Sequence, residues 1–420
     1  AVGAKGHPSI PKYERALSIG RSGAHPPRTL YVAEGDSAAA FVRTGLSVIG
    51  RQHNGLFPLR GKPANVRDKK PTEVVKCNEM KHLISILGLK FNTEYTREMV
   101  DALPYQHLAL ATDQDVDGSH IAGLLLGMLD KQFKSLQRVH PAYAKRFATP
   151  LIKATKGAAS HAFFTESEFK AWQTTTREAA VYHVKYYKGL ATSTPQETVA
   201  YFRDAGKHMA TMQHTGRATT DELDIWYGKE TDGRKKSLLR GPTEPPNYQN
   251  DSINIEDFCT SELVVHGNAQ NERSIPSAVD GLKPSLRKVV HTALARPQGE
   301  RCKAMKVASL AHTAIEKCAF KHGEASMLTT TMCGTQTWPG TNNFALLQGH
   351  GHIGSRSTGR ADSLPGGRYV SACADPCLPS AIPDADRPVL TLVHDEGKYI
   401  EPTHFVPVLP LVLVNGTNGI

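Results

Sequence analysis

Cysteine pairs and long apolar runs are scarce in this sequence, and each scarcity excludes a class of protein. The seven cysteines are scattered over 420 residues. Only Cys373 and Cys377 lie close together, and no second pair completes a zinc site, so we expect reduced thiols in an intracellular protein. The longest strongly apolar run, Phe405 to Val414, contains two prolines and is too short to span a membrane. No signal peptide or internal repeat is recognisable.

A phosphate-binding loop for ATP is also absent, because no stretch matches G-x-x-x-x-G-K-[ST]. The chain begins at Ala1 without a methionine and stops inside the stretch Asn415 to Ile420, where we do not expect a domain to end. We therefore expect a piece of a longer protein.

Positive charge is what the chain has in excess. Hydrophobic residues make up 40% and charged residues 21%, which is typical of a globular protein with room for two or three domains. The formal net charge is +10 and the pI is about 9.1. Since the most conspicuous motif is acidic, the positive charge must lie elsewhere. This separation suits an acidic metal site that acts on a polyanion; an ordinary basic enzyme is the alternative.

The acidic motif is DQDVDG at Asp113–Gly118, with three carboxylates at alternate positions beside a glycine. Like charges this close repel one another, so the cluster needs a cation or large pKa shifts to stay ionised. Mg²⁺ with oxygen ligands meets that need. The pattern also begins an EF-hand calcium loop, but that loop needs a glutamate at its twelfth position, where this chain has Leu124. The motif therefore predicts a magnesium site.

Two predicted strands bring a fourth carboxylate to this motif. Leu30–Ala33 is typical of a short buried strand, and it runs into Glu34, with Asp36 or Ser37 as the cap of a following helix. His107–Thr112 is the predicted strand before the acidic motif. In a parallel sheet these strand ends can be neighbours, so the four carboxylates can converge on one crevice.

Apolar residues at helical spacing predict helices over 121–129, 286–294 and 307–318. Pro284 suits the first turn of the second of these helices. The basic residues Lys283, Arg287 and Lys288 on it suit a helix-turn-helix DNA-binding domain, and a plain helical core domain is the alternative.

The segment between these regions is mixed. Val181–Tyr187 resembles a strand, and helices are predicted around Phe169 and Val199. Phe57–Lys62 carries two cations beside a glycine and is predicted to be either a phosphate-contacting loop or a surface loop. The basic run Gly233–Lys236 is open to the same two interpretations.

Longer motifs occur in a fixed order along the chain. They are EGDSA at Glu34–Ala38, PLRGK at Pro58–Lys62, TDQDVDGSHI at Thr112–Ile121, KYYKGLATS at Lys185–Ser193, NERSIPSAVDGLKPSLRKV at Asn271–Val289, HGEASM at His322–Met327 and GRYV at Gly367–Val370. Together they resemble the type II DNA topoisomerases, of the single-chain eukaryotic and viral kind rather than bacterial gyrase. The resemblance covers nearly the whole chain, and FVPVLPLVLVNGTNGI at Phe405–Ile420 is similar to the start of the tower domain of that family.

The resemblance implies an α/β Toprim domain, in which helices flank a parallel sheet. A winged-helix (helix-turn-helix) α+β domain and the start of a tower domain follow it. The expected boundaries are a linker at 1–27, the Toprim domain at 28–160, its extension and a linker at 161–250, the winged-helix cleavage domain at 251–378 and a truncated tower domain at 379–420.

The resemblance also implies the residues that carry the reaction. Tyr369 matches the nucleophile that attacks a DNA phosphate and stays bound to the 5′ end. Arg368, Arg287 and His322 match positions around the scissile phosphate, and Glu34 matches a general acid for the 3′ oxygen.

The metal site implied by the family comprises Glu34, Asp113, Asp115 and Asp117, with two Mg²⁺ ions expected.

Further positions are expected to contact DNA. By resemblance, Arg60, Lys62 and Lys188 are phosphate-contacting residues and Ile420 is the wedge that bends the duplex. Lys283 and Lys288 join this group through the helix-turn-helix pattern.

For the whole protein, the resemblance implies a homodimer that acts on double-stranded DNA, with active sites shared between subunits and strand passage driven by an ATPase domain absent from this chain. It implies a nuclear location, with a viral factory, the host cytoplasm or the mitochondrion as alternatives.

Two other functions stay open. One is a Toprim-type metal-dependent nuclease or primase-like enzyme, which does not need Tyr369. The other is a DNA-bending architectural protein, which does not need the carboxylates.

Overall fold

The structure is a computed structural model that describes residues 10–21, 25–187, 189–338, 341–357, 367–395 and 397–416. The chain divides into two compact units, unit 1 over Ala1–Asn268 and unit 2 over Ala269–Ile420. Each unit has a hydrophobic core of its own.

The strands described in unit 1 form one large and one small sheet. They are β1 (Thr29–Glu34), β2 (Asn54–Leu59), β3 (His107–Ala111), β4 (Ala144–Phe147), β5 (Ile152–Lys156), β6 (Ala159–Phe163), β7 (His183–Tyr186), β8 (Met209–Gln213) and β9 (Ser252–Asn254). The large sheet has the order β2-β1-β3-β4-β8-β9. β2, β1, β3 and β4 pair in parallel, β8 is antiparallel to β4, and β9 is parallel to β8.

The helices described in unit 1 cover both faces of this sheet. They are α1 (Gly35–Ile49), α2 (Pro71–Val74), α3 (Asn78–Leu87), α4 (Arg97–Asp101), α5 (Val116–Gln132), α6 (Lys134–Val139), α7 (Glu166–Thr175), α8 (Pro195–Arg203), α9 (Ala205–His208), α10 (Arg217–Tyr227), α11 (Asp232–Arg240) and α12 (Ile255–Ser274), the last of which continues into unit 2. The predicted α/β arrangement is confirmed in this unit.

The alternation of side chains along the central strands explains the two covered faces. In β1, Leu30 and Val32 pack into the cluster that contains the apolar face of α5, whereas Tyr31 and Ala33 pack into the cluster that contains α1. Because successive side chains of a strand point to opposite faces, a strand buried on both faces must be apolar throughout. The predicted strands at 30–33 and 107–112 and the predicted helix at 121–129 are confirmed by β1, β3 and α5.

Two local predictions in unit 1 were wrong. α1 begins at Gly35, which has a φ of +76°, and Glu34 stands at its cap without a side-chain hydrogen bond, so neither Asp36 nor Ser37 caps the helix. The stretch from Phe57 to Leu59 belongs to β2, because it pairs with β1 up to its last residue, so the predicted loop begins only at Arg60.

The small sheet has the order β6-β5-β7 and packs under an aromatic cluster that includes Phe163, Phe169 and Trp172. α7 and α8 confirm the helices predicted around Phe169 and Val199. The basic run predicted at Gly233–Lys236 lies within α11.

Unit 2 combines helices with short antiparallel sheets. Its elements in the described residues are α13 (Pro284–Leu294), β10 (Met305–Lys306), α14 (Val307–Lys317), α15 (Glu324–Cys333), β11 (Leu347–His350), β12 (Ser371–Ala374), α16 (Leu378–Ala381), β13 (Leu392–Asp395), β14 (Lys398–Pro402) and α17 (Leu411–Val414). β10, β12 and β11 form one sheet, and β13 pairs with β14. The apolar faces of α13, α14 and α15 pack with β11 and β12 in one core.

The helices predicted over 286–294 and 307–318 are confirmed, and Pro284 opens α13 as predicted. The predicted domain boundaries at 160/161 and 250/251 both fall inside unit 1, and β9 joins the large sheet just after the second of them. In the part of the chain that the structure describes, none of the helices combines the length and apolar character that crossing a lipid bilayer requires.

Candidate functional site

The carboxyl ends of β1 and β3 meet at one edge of the large sheet, because the two strands are parallel neighbours. Glu34 is the last residue of β1, and Asp113 follows the end of β3. Asp115 is the N-cap residue of α5, and Asp117 lies in the first turn of that helix. The fold therefore brings the four predicted carboxylates to the same edge.

The carboxyl group of Glu34 has a raised pKa and an oxygen atom without a hydrogen bond. Burial raises the pKa of the Glu34 carboxyl to about 7, and the Asp113 and Asp115 carboxylates add to the rise. Its Oε2 atom is buried and accepts no hydrogen bond within the described residues. An unsatisfied buried carboxylate oxygen beside other carboxylates is what a hard divalent cation would stabilise.

Asp113 is held by the loop before α8. Its Oδ1 atom accepts a 2.8 Å hydrogen bond from the backbone N–H of Leu190. The neighbouring Gly189 packs so closely that a Cβ there would lie 2.6 Å from Asp113 Oδ2. Burial raises the pKa of the Asp113 carboxyl above its ordinary value, although the Leu190 N–H and the Arg146 guanidinium oppose that rise.

Asp115 and Asp117 have partners of their own. Asp115 Oδ1 accepts a 2.7 Å hydrogen bond from the backbone N–H of Gly118. Asp117 Oδ1 lies 2.8 Å from Lys62 Nζ and 3.7 Å from His266 Nε2. Only glycine fits at position 118, because a Cβ there would lie 2.2 Å from the carbonyl oxygen of Asp113.

These contacts bear on the predicted metal site. In the described residues, no three acidic, histidine or cysteine side chains are arranged to hold a metal ion as they stand. Asp113, Asp115 and Asp117 each accept from a different partner. The donor chemistry nevertheless fits Mg²⁺, since the group offers carboxylate oxygens only, one of them buried and unsatisfied.

In unit 2, Tyr369 lies just before β12 and is 74% exposed. Arg368 beside it is exposed too, whereas Gly367 and Val370 are buried on either side. Gly367 has a φ of +57°, and a Cβ there would lie 2.9 Å from Val307 Cγ1. The backbone around the tyrosine is therefore anchored while its side chain points outwards.

His322 precedes α15 and contacts the end of α12. Arg273 Nη1 lies 3.4 Å from His322 Nε2, and the ring centroid of Phe320 lies 5.3 Å from that of His322. A guanidinium only donates hydrogen bonds, so Nε2 accepts this one.

Three family models match consecutive parts of the chain. They are the Toprim domain over residues 29–146, the C-terminal associated domain of TOPRIM over 147–271, and the A-type subunit of DNA gyrase/topoisomerase IV over 273–420. Over 98% of its own residues, the chain is 36% identical to the DNA topoisomerase 2 of Bombyx mori. Over 93% of its own residues, it is 36% identical to the DNA topoisomerase 2-alpha of Gallus gallus. The chain belongs to the type II DNA topoisomerase family.

The topoisomerase chain spans about a quarter of the length of these relatives, covering 27% of the Bombyx mori protein and 26% of the Gallus gallus protein. Its fold is similar to the crystal structure of the Plasmodium falciparum topoisomerase II DNA-binding, cleavage and re-ligation domain. The TM-score is 0.83 at 35% identity, over 99% of this chain and 56% of that one. The predicted fold class, a Toprim domain followed by a topoisomerase II cleavage fold, is thereby confirmed.

Several residues predicted for the topoisomerase site have other partners. Arg287 is buried, and its guanidinium donates to both carboxylate oxygens of Asp280 at 2.7 and 2.9 Å. Lys288 Nζ lies 2.7 Å from Glu401 Oε1 and donates to the carbonyl oxygen of Cys318. Both cations are thus paired with carboxylates of unit 2, and their predicted contacts with DNA stay predictions.

The remaining predicted DNA contacts divide by accessibility. Arg60 is exposed just after β2, and Lys62 pairs with Asp117. Lys283 is half-buried at the N-cap of α13. Lys188 and Ile420 lie outside the described residues.

The sequence motifs include Gly189 and Leu190 without assigning them a role, and Arg146 was not predicted as a site residue. The Leu190 backbone, Gly189 and the buried Arg146 all contact Asp113. A glycine in a loop and a charged residue in a short strand give no local signal of such contacts, which depend on the tertiary fold.

Proposed function

We propose that this chain is the DNA cleavage and religation segment of a type II topoisomerase and that Tyr369 is its nucleophile. The observation that carries the proposal is the presentation of Tyr369, 74% exposed between two buried residues and next to the exposed Arg368. A side chain held in this way can reach a DNA backbone, and the adjoining guanidinium can pair with a phosphate.

The reaction is a transesterification. The phenol oxygen of Tyr369 attacks a DNA phosphorus, the bond from that phosphorus to the 3′ oxygen breaks, and the protein stays on the 5′ end. The phenol loses its proton and the 3′ oxygen gains one. Reverse attack by the 3′ hydroxyl reseals the strand without ATP, because the phosphotyrosyl bond preserves the energy of the broken link.

Arginine and histidine side chains act as hydrogen-bond donors in this step. Arg368 and His322 supply hydrogen bonds to the non-bridging phosphate oxygens, where negative charge grows during the attack. Glu34 is the general acid for the 3′ oxygen.

We propose Glu34, Asp113, Asp115 and Asp117 as the ligands of Mg²⁺, with two ions per site. When bound, Mg²⁺ neutralises charge on the phosphate and on the departing oxygen. The unsatisfied Glu34 Oε2 supports the assignment. Without the cation, these carboxylates would repel the DNA backbone that the basic residues attract.

DNA contact and assembly complete the proposal. Arg60, Lys62 and Lys283 contact phosphates, as does Lys188, and Ile420 inserts between base pairs. Arg287 donates to the scissile phosphate and Lys288 contacts a further phosphate, each in addition to its ion pair. The whole protein acts as a nuclear homodimer that shares its active sites between subunits, and an ATPase domain outside this chain drives strand passage.

The proposal is tested by trapping the chain on supercoiled plasmid with detergent in the presence of Mg²⁺. We expect nicked and linear DNA with covalently bound protein. Tyr369→Phe should reduce this adduct to background, because phenylalanine has no nucleophilic oxygen. Tyr399→Phe is the matched control, since Tyr399 is a similarly exposed tyrosine of the same unit, at 73%, and should retain the adduct.

A second variant, Asp113→Ala, should abolish cleavage while DNA binding persists in a gel-shift assay. Cleaved DNA that carries no protein would favour the metal-dependent nuclease. Bent but uncleaved DNA, unaffected by Asp113→Ala, would favour the architectural protein.

A further inference from the structure

Arg146 is a fully buried arginine behind the acidic edge of the large sheet. It lies in β4, next to β3, and its side chain is 0% exposed. Its Nη2 atom lies 3.4 Å from the carbonyl oxygen of Asp113 and 3.5 Å from Ser119 Oγ. One nitrogen with two protons thus contacts both the loop before α5 and the first turns of that helix.

The contact with Ser119 continues into a second buried group. Ser119 Oγ donates to Glu262 Oε2 at 2.5 Å, and the other oxygen of Glu262 accepts from the hydroxyl of Tyr248. Arg146 Nη2 lies 3.8 Å from Glu262 Oε2. Arginine, serine and glutamate therefore form one connected group that ties β4, α5 and α12 together within unit 1.

The other two nitrogen atoms of the guanidinium lack hydrogen-bond acceptors in the described residues. Its Nε and Nη1 atoms are buried and have no hydrogen-bond partner in the described residues. The rings of Tyr248 and Phe258 lie 5.8 and 5.9 Å from its Cζ atom. A buried cation with so few hydrogen bonds is costly unless nearby negative charge offsets the loss of water.

The negative charge near this cation comes from carboxylates of the acidic edge and from Glu262. The carboxylates of Glu262, Asp115 and Glu34 interact electrostatically with the guanidinium. Arg146 is therefore the buried counter-charge of the carboxylates, as well as a hydrogen-bond donor to their backbone.

We propose that Arg146 is a positioning residue for the divalent-cation site, which it shapes by fixing the backbone at Asp113 and the start of α5. The inference rests on the proposed function, because it takes the carboxylates at this edge as the metal ligands. Arg146 touches neither the DNA nor the cation in this role. It acts through Nη2, which contacts both the Asp113 carbonyl oxygen and Ser119 Oγ from a position set by the length of the arginine side chain, so that charge alone does not replace it.

The test measures Mn²⁺ affinity of the intact 420-residue chain by calorimetry, without DNA, alongside the melting temperature. Arg146→Met should weaken Mn²⁺ binding by about tenfold or more, as loss of groups that orient metal ligands commonly does. Arg146→Lys keeps the charge but has a shorter side chain that ends before the position of Nη2, and should restore only part of the affinity. Lys145→Met is the matched control, because it removes a cation from the same strand on the opposite face, and should leave affinity within about twofold.

If Arg146→Met lowers the melting temperature but binds Mn²⁺ like the unchanged chain, its role is merely structural and the proposal is overturned. Full rescue by Arg146→Lys would mean that the charge, and not the position of Nη2, is the cause, and would overturn the proposal. Should Arg146→Met fail to fold, Ser119→Ala decides, since it removes one of the two contacts of Nη2: a few-fold loss of affinity supports the proposal, and no loss overturns it.

The proposed function can fail separately from this inference. A chain that binds Mn²⁺ in an Arg146-dependent manner but forms no covalent DNA adduct would contradict the nucleophile, not the positioning residue. A chain without measurable Mn²⁺ affinity would overturn the positioning role, whatever it does to DNA.

Discussion

The charge that a single side chain carries depends on its neighbours, and His107 at the start of β3 shows this well. Burial lowers the pKa of His107 to about 4, and Lys145 and His140 add to that effect. The folded chain therefore resists protonation of a ring that the unfolded chain protonates near pH 6.5. Stability should be unaffected above that pH and should fall as pH drops from about 6.5 to about 4, by on the order of 2 kcal/mol after allowance for partial exposure.

This prediction is checked with melting temperatures from pH 7 to pH 4. His107→Gln should flatten the profile relative to the unchanged chain, because glutamine does not titrate. His183→Gln replaces an exposed histidine and should leave the profile as it was. Equal profiles for all three proteins would show that His107 does not contribute to acid sensitivity.

Residue identity at strand ends was predictable, but the partners of those residues were not. Glu34 and Asp113 could be assigned to one edge because parallel strands end together. The pairing of Lys62 with Asp117 and of Arg287 with Asp280 needed the structure. A cation predicted to meet a phosphate can equally meet a carboxylate of the same chain, and sequence spacing does not distinguish the two.

At the scale of elements, length and periodicity decided what could be predicted. β1, β3 and α5 are buried elements with clear apolar patterns, and their prediction is confirmed. β9 has three residues and β10 has two, so neither is long enough to show a period. Their strand conformation comes from pairing with β8 and β12 rather than from their own sequence.

α8 carries a local signal strong enough to test. Thr194 caps it: its Oγ1 atom accepts from the backbone N–H of Glu197 at 3.2 Å, and Glu197 Oε2 accepts from the backbone N–H of Thr194 at 2.9 Å. Glu197 Oε1 also lies 2.9 Å from Lys153 Nζ in β5. Thr194→Ala should lower the free energy of unfolding by about 1 kcal/mol, because both hydrogen bonds depend on this cap geometry.

Urea denaturation measures that change. Thr174→Ala is the control, since Thr174 is an exposed residue inside α7 and alanine favours a helix interior. It should leave stability unchanged or slightly higher. A Thr194→Ala chain as stable as the unchanged one would mean that tertiary contacts, not the cap, define the start of α8.

At the scale of the whole molecule, the proposed reaction divides between two units with separate cores. The carboxylates belong to unit 1, and Tyr369 and His322 belong to unit 2. Such a division allows the two parts of one active site to come from two chains, which is the arrangement we propose for the dimer.

Sharing of the site is testable by co-expressing two inactive variants. A dimer of one Tyr369→Phe chain and one Asp113→Ala chain keeps one complete site if each tyrosine works with the partner chain's carboxylates. We expect nicked plasmid with bound protein, at roughly a quarter of the unmutated strand cleavage, because half of randomly formed dimers are mixed and each has one active site. Each variant alone should give none. If the co-expressed variants cleave no more plasmid than either variant alone, while the unmutated chain is active, every chain cleaves with its own carboxylates.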